Sequence, residues 1–490
     1  MATVGPSAEM QKLSEPFWVL RRRFLPLLWR NSLWAYRQYR SEQRPIWLRR
    51  VFGELVVRED VWSGETRLPG LSLLDRFESA AAAADIRAAE ETARGMIDGL
   101  HDPLQRGAAR IVLAARALFA HDLLSLTDRL LLERRDTEDE TDAELERVLL
   151  TLGHGGAAEK NRQIIERLVQ VPNVPLSQLM KAWVRSRWLY EGPSHDLLED
   201  VLLFADKVRK KREVLLREVL ALAFLLNDAA SVKTLLASDP EISGSYHLVL
   251  PLASYLIAND AGPTSAPERA RISKFAELYA QLNAGTTALV SLLRDKTRSI
   301  AIVGNSACEL GSGKGPLVDS HDFVARFNLF SVDERFACDY GRKCNIHVRH
   351  PEIAYSNQTS LATDWIVINR PDLIYRQRNW DNVLDMFLAG ANLAALPVGF
   401  HQPLYQALRG EPSGGITFCA LVKAARGELS RDSCFGFSFV DQVGKHATSA
   451  HYFRNARPSF KHPWARERVM FEELTAPLQE PSRPTHHRFR

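Results

Sequence analysis

Cysteine is scarce in this sequence: five residues in 490, all beyond position 300. Five thiols do not build a disulfide framework, and none stands in a C-x-x-C pair, so no structural zinc site is expected. The reading is buried, reduced thiols in a cytosolic domain. Long apolar runs are also missing. None reaches the length of about 18 residues that reads as a membrane span. The N-terminus lacks the apolar core and cleavage site of a secretory signal. No charge sign dominates: Lys plus Arg number 63 against 59 for Asp plus Glu, a net charge of +4. That excess does not argue for nucleic acid. The composition is that of a globular protein, 46% hydrophobic and 25% charged. At roughly 150 residues per domain, about three domains are expected.

Residues 1–65 form a basic, aromatic segment. Within the first 50, nine arginines and Lys12 stand against three glutamates, and Trp18, Trp29, Trp34 and Trp47 are four of the ten tryptophans. Leu25, Leu28 and Trp29 recur at helical spacing beside Arg21, Arg22 and Arg23, a mixture suited to the headgroup layer of an anionic membrane. Pro16, Pro26 and Pro45 interrupt any long amphipathic helix. Two readings stay open: peripheral membrane contact through residues 1–50, or aromatics packed on the next domain with arginines in water.

Residues 66–295 read as helix after helix. Apolar positions recur every three or four residues over 108–131, 142–152, 160–169, 214–226 and 266–282. Turn chemistry at 102–103, 153–156, 171–175, 191–193, 239–240 and 262–263 separates them. The expectation is stacked helical pairs, a solenoid or an irregular bundle, without a clean fixed-period repeat. The acidic stretch 133–146 reads as a solvated face or loop. Nothing in this region looks catalytic. Such a stack binds a partner or supports its neighbour.

Residues 296–478 change character. Short β-branched runs at 298–303, 364–369, 393–398 and 433–439 alternate with helical stretches such as 381–388 and 416–426. That alternation predicts a parallel, doubly wound α/β sheet with ligands at the carboxyl ends of its strands. The tail, 479–490, reads as disordered.

The first such strand runs into a glycine-rich loop, Gly304-Asn305-Ser306 and then Gly311, Gly313 and Gly315. Loops of this kind let backbone N–H groups approach a phosphate. The spacing fits neither a Walker A loop, since Cys308 holds the place of its first glycine and Gly315 follows Lys314, nor a G-x-G-x-x-G fingerprint. Further on come D-S-H-D-F-V at 319–324, Arg326-Phe-Asn328, Asp339-Tyr-Gly341 and His350-Pro-Glu352. Then follow Pro412-Ser413-Gly414-Gly415 leading to Gly436, His451-Tyr-Phe453, and His462 with Glu467 five residues later.

In order and spacing these blocks resemble the large, small, third and very small sialyl motifs of glycosyltransferase family 29, the sialyltransferase family. The resemblance covers about residues 297–475. It implies a Rossmann-like, GT-A-variant parallel sheet and inverting transfer of an acidic keto sugar from a CMP-activated donor to a glycan or lipid-linked glycan hydroxyl. His462 is the candidate base, since an imidazole titrates near neutrality. His451 would hydrogen-bond the CMP phosphate, and Glu467 would orient the region. By resemblance Asn305 and Asn328 contact the nucleotide. Ser413, Gly414 and Gly415 meet the nucleotide or the sugar carboxylate, and Gly304 and Ser306 shape the turn. No cofactor or metal is expected, because the family is metal-independent and no D-x-D follows residue 297. Asp319 and Asp322 read as braces of the turn, His321 and Glu352 as structural.

The sequence also departs from the family. Ile300-Ala301 lacks the cysteine that vertebrate members join to their small motif, and Lys423-Ala424-Ala425 stands where its partner would lie. That fits a reducing compartment. Gly414 stands where the family has Thr, which leaves the donor open between CMP-sialic acid and CMP-Kdo. About 290 mostly helical residues replace a short N-terminal anchor. The expectation is a bacterial enzyme of surface-polysaccharide assembly, cytoplasmic or peripheral on the inner face of the cytoplasmic membrane. The alternative is a non-catalytic helical adaptor that binds a nucleotide or glycan. Nucleic acid is not an expected partner.

Overall fold

A computed structural model describes residues 73–100, 103–132, 140–155, 158–168, 176–207, 212–262, 265–351, 363–369, 380–397, 399–439, 451–453 and 462–477. The basic segment 1–65, Glu352, the tail 479–490 and the first half of the acidic stretch lie outside the described residues.

The first part is helical, as read from the periodicity. Its described helices are α1 (Leu73–Ala82), α2 (Ile86–Asp98), α3 (Pro103–His121), α4 (Leu124–Leu132), α5 (Glu140–Gly153), α6 (Ala158–Leu168), α7 (Leu176–Glu191), α8 (His195–Lys207), α9 (Arg212–Leu225), α10 (Ala229–Ser238), α11 (Leu250–Ala258) and α12 (Ala266–Arg294). The single helix expected over 108–131 is two. Asp122 adopts a left-handed backbone, φ 59°, and ends α3. The stretch 266–282 continues twelve residues further, to Arg294.

The second part contains β1 (Ile300–Val303), β2 (Phe323–Phe327), β3 (Ile346–Arg349), β4 (Trp365–Ile368), β5 (Leu393–Ala395) and β6 (Cys434–Phe435). They form one sheet in the order β5-β4-β3-β2-β1-β6, with every neighbouring pair parallel. Helices α13 (Gly315–Asp319), α14 (Glu334–Tyr340), α15 (Trp380–Leu388), α16 (His401–Leu408), α17 (Gly414–Arg426) and α18 (Trp464–Thr475) accompany it. Strands β2 and β3 were not legible as strands. Arg326, His347 and Arg349 break their apolar pattern, yet all three are buried. The strand expected at 433–439 is shorter, because Gly436 turns left-handed at φ 68° right after β6.

The sheet and the helices share a core. Ile366, Ile368, Leu393 and Ala395 pack with Phe275, Leu278, Leu282 and the apolar faces of α7 to α11. Val367 and Ala394, one residue out of phase, pack on the opposite face with Ile416, Phe418 and Phe471. Helix α12 also closes the open edge of the sheet. The Thr286 hydroxyl donates to the Ala395 carbonyl at 2.9 Å and accepts its N–H at 3.1 Å. An edge strand so covered offers no template for other chains. Contact this close requires Gly285, where a Cβ would stand 1.9 Å from the Leu393 carbonyl oxygen.

Gly285→Val is expected to cost about 1–3 kcal/mol of folding stability by forcing α12 off β5. Gly95→Ala, in open space on α2, is expected to be neutral or stabilising. Urea midpoints of the two variants test this, and equal shifts would contradict the edge contact.

Candidate active site

Strand β1 feeds the site from the middle of the sheet. Its successor β2 lies on one side and β6 on the other, so the chain direction diverges beyond its carboxyl end. Two glycines let the segments leaving β1 and β6 stay paired at close range. Gly304 N–H donates to the Phe435 carbonyl at 2.8 Å, and Ser306 N–H to the Gly436 carbonyl at 3.1 Å. A Cβ on Gly304 would meet the Gly436 oxygen at 2.4 Å, and one on Gly436 would meet the Gly304 oxygen at 2.5 Å.

Asn305 follows. Its Nδ2 donates to the carbonyls of Phe327 and Leu329, each at 3.1 Å, and so straddles Asn328. Its Oδ1 is enclosed without a partner. Asn328 is left-handed, φ 49°. Three bonds fix it there: its N–H on the Val348 carbonyl (2.8 Å), its Oδ1 on the His350 N–H (2.8 Å), and His347 Nε2–H on its carbonyl (2.7 Å). Tyr452 N–H donates to the Asn305 carbonyl at 2.9 Å, and its hydroxyl donates to the Ser331 carbonyl at 2.6 Å. Its ring stacks on Tyr340 at 3.9 Å, whose hydroxyl donates to the Ser306 carbonyl. His451 is thereby held one residue from the Asn305 contact.

A second group surrounds the start of α17. Ser413 caps the helix, accepting the Ile416 N–H at 3.4 Å. Its own N–H and hydroxyl donate to the two oxygens of Glu467, each at 2.6 Å. Glu467 is fully buried. Burial pushes its carboxyl up, opposed by the charge of His462 and by the two bonds from Ser413. His462 Nδ1 lies 2.8 Å from the Glu411 carbonyl. A carbonyl only accepts, so Nδ1 carries the proton and Nε2 is the basic nitrogen. The ring also meets the edge of Trp464, at 5.1 Å. Phe327 joins the two groups: its carbonyl holds Asn305, and its ring lies 3.7 Å from where a Cβ on Gly414 would stand.

The motif carboxylates are spent on the backbone. Asp339 accepts the N–H groups of Gly311 and Gly313, each at 2.8 Å, Asp319 those of Arg342 and Lys343, and Asp322 that of Ser299. The ring of His321 is held by the Leu317 carbonyl. In the helical part, the buried Glu78 is satisfied by Arg116 at 2.5 Å and His121 at 2.7 Å. The five cysteines are free; Cys344, Cys419 and Cys434 are buried, whereas Cys308 and Cys338 are exposed, contrary to the expectation for all five.

Two residues were not singled out from the sequence. Glu309 is buried beside the crevice, with Oε1 on the Gly436 N–H at 3.3 Å and Oε2 on Lys314 Nζ at 2.8 Å. Its signal was a lone acid in a glycine loop. Asn369 ends β4, and only its place at a strand terminus pointed to it.

The helical part reaches this site. Arg466, next to Glu467, pairs with Asp122 and donates to the Leu408 carbonyl at 3.0 Å. His154 joins Asp122 at 2.8 Å. The Tyr190 ring packs edge-on to Tyr405 at 5.6 Å, and its carbonyl accepts Gln406 Nε2 at 2.5 Å.

Comparison with known proteins agrees with the motifs. Residues 260–372 match the model of glycosyltransferase family 29 (sialyltransferase). A relative from Oryza sativa subsp. indica, "Sialyltransferase-like protein 2", is 45% identical over 58 residues, 12% of this chain and 14% of that protein. The chain thus spans only that small part of the relative's length. Two crystal structures of a mammalian sialyltransferase are similar at TM-scores of 0.31 and 0.30. Each is 22% identical and covers 40% of this chain; the second holds Gal-beta-1-3GalNAc-ortho-nitrophenol.

Burial and the Arg349 charge lower the His347 pKa from 6.5 to about 4. The unfolded chain therefore takes up this proton first as pH falls. The stability it contributes is complete above pH 6.5 and is lost towards pH 4, by about 3 kcal/mol. Urea unfolding of wild type and His347→Gln across that window checks this; parallel pH profiles would contradict it.

Proposed function

We propose that this chain, whose residues 260–372 carry the family 29 signature, is an inverting glycosyltransferase that moves an acidic keto sugar from its CMP ester to a glycan hydroxyl. One observation carries the reading: motifs separate in sequence are hydrogen-bonded into two groups that meet at Phe327. Asn305 straddles Asn328 and receives Tyr452, while Glu467 clasps Ser413 beside His462.

The chemistry follows from these groups. The acceptor oxygen attacks the anomeric carbon as the bond to the phosphate oxygen breaks, and CMP departs with the electron pair. The hydroxyl proton passes to His462 Nε2. The charge on the departing phosphate needs donors already in place, and His451 supplies one. Asn305, with its unpaired Oδ1, holds the nucleotide beside Asn328. Asp319, Asp322 and Asp339 serve the backbone, so the reading assigns charge stabilisation to N–H donors and requires no bridging cation. Sialic acid is the proposed sugar and Kdo the alternative of the same chemistry, in surface-polysaccharide assembly in a bacterial cytoplasm. The basic segment 1–50 would bring the enzyme to the membrane surface. Among the described residues no helix is long and apolar enough to cross a membrane.

His462→Ala is expected to lower CMP release from a CMP-sugar by about 100- to 10,000-fold while CMP binding stays nearly intact. Unchanged turnover would remove His462 as the base. Calorimetry with a panel of CMP-sugars separates sialic acid from Kdo, and binding without CMP release in the presence of any acceptor would favour the adaptor. Residues 1–60 are expected to sediment with anionic vesicles and not with neutral ones; equal sedimentation would defeat the membrane role.

A further inference from the structure

Asn369 has no part in the reading above. It closes β4, with its N–H on the Arg349 carbonyl at 2.8 Å. Its side chain is 8% exposed, and its Oδ1 is enclosed without a hydrogen-bond partner. A buried amide oxygen left unpaired is costly, and such a group calls for an explanation.

The other end of the amide reaches the start of α17. Nδ2 lies 2.6 Å from where a Cβ on Gly414 would stand. The amide therefore occupies the side-chain place that Gly414 leaves empty, against the Phe327 ring. Gly414 and Gly415 open a helix of 13 residues. N–H groups in a first turn lack intrahelical acceptors and carry the positive end of the helix dipole. Ser413 is already committed, its hydroxyl proton to Glu467 and its oxygen to Ile416. The groups left to receive an anion are the two glycine N–H groups and the Asn369 amide.

We propose that Asn369 is a specificity-determining residue for the donor sugar. Its Nδ2 joins the N–H groups of Gly414 and Gly415 in holding the sugar carboxylate, and its Oδ1 accepts a hydroxyl of the same sugar. The inference rests on the CMP-sugar reading and deepens it. A primary amide offers a donor and an acceptor at once, which suits a carboxylate with a neighbouring hydroxyl better than a bare phosphate. A side chain at 414 would push the amide out of this place, so the arrangement goes with glycine there.

The test is calorimetry on the full chain with CMP, CMP-N-acetylneuraminate and CMP-Kdo. Asn369→Ala is expected to leave CMP affinity within about twofold and to weaken the preferred CMP-sugar by about 10- to 100-fold, the loss of a charge-assisted hydrogen bond. Asn369→Asp keeps the shape and brings a like charge to the carboxylate, so it is expected to weaken the CMP-sugar more than the alanine does. Equal weakening of CMP and CMP-sugar, or an aspartate variant as tight as wild type, would overturn the role. Wild type that binds CMP-sugars while both variants match it removes this inference alone. Wild type that binds no CMP-sugar removes the proposed function and this inference with it.

Discussion

Glu467 is the buried carboxyl group on which the site is built. A carboxylate taken out of water is costly unless donors meet both its oxygens. Ser413 supplies two, its N–H and its hydroxyl, and His462 stands close enough to favour the charged form. The pairing fixes the first turn of α18 against the first turn of α17. It also decides what Ser413 can do. With its proton on Glu467 and its oxygen on Ile416, the serine holds the helix start in place, and the glycine N–H groups after it are left to meet a ligand. The Glu411 carbonyl completes the arrangement by setting the His462 tautomer.

The remaining constraints act on the backbone. Gly304 and Gly436 let the segments leaving β1 and β6 stay paired at close range, where a Cβ on either would strike the other's carbonyl oxygen. Asn305 then spans two carbonyls around a left-handed Asn328. A neutral His347 holds that carbonyl from below. The helical part is continuous with this scaffold. Its core includes one face of β4 and β5, α12 seals the sheet edge, and Asp122 pairs with the residue beside Glu467. A stack of helices placed in this way supports helix α18 directly.

Much of this was legible in the sequence. The α/β alternation, the motif order and the helical periodicity all correspond to described elements. The misses have physical causes. Strands β2 and β3 hide buried Arg326, His347 and Arg349; Arg326 donates to the Lys343 carbonyl and lies over the Phe330 ring, and His347 meets the Asn328 carbonyl, contacts that no local pattern reveals. A left-handed Asp122 breaks a periodicity that runs on through it. Asn369 and Glu309 matter through neighbours distant in sequence, Gly414 and Gly436, so their surroundings exist only in the fold.

The most direct test of the central claim is a crystal structure of the full chain with CMP. The account predicts the nucleotide beyond the carboxyl ends of β1 and β2, hydrogen-bonded to Asn305 Oδ1, with its phosphate towards His451 and the start of α17. CMP bound elsewhere, or an Asn305 oxygen still enclosed and unpaired with CMP in place, would contradict it.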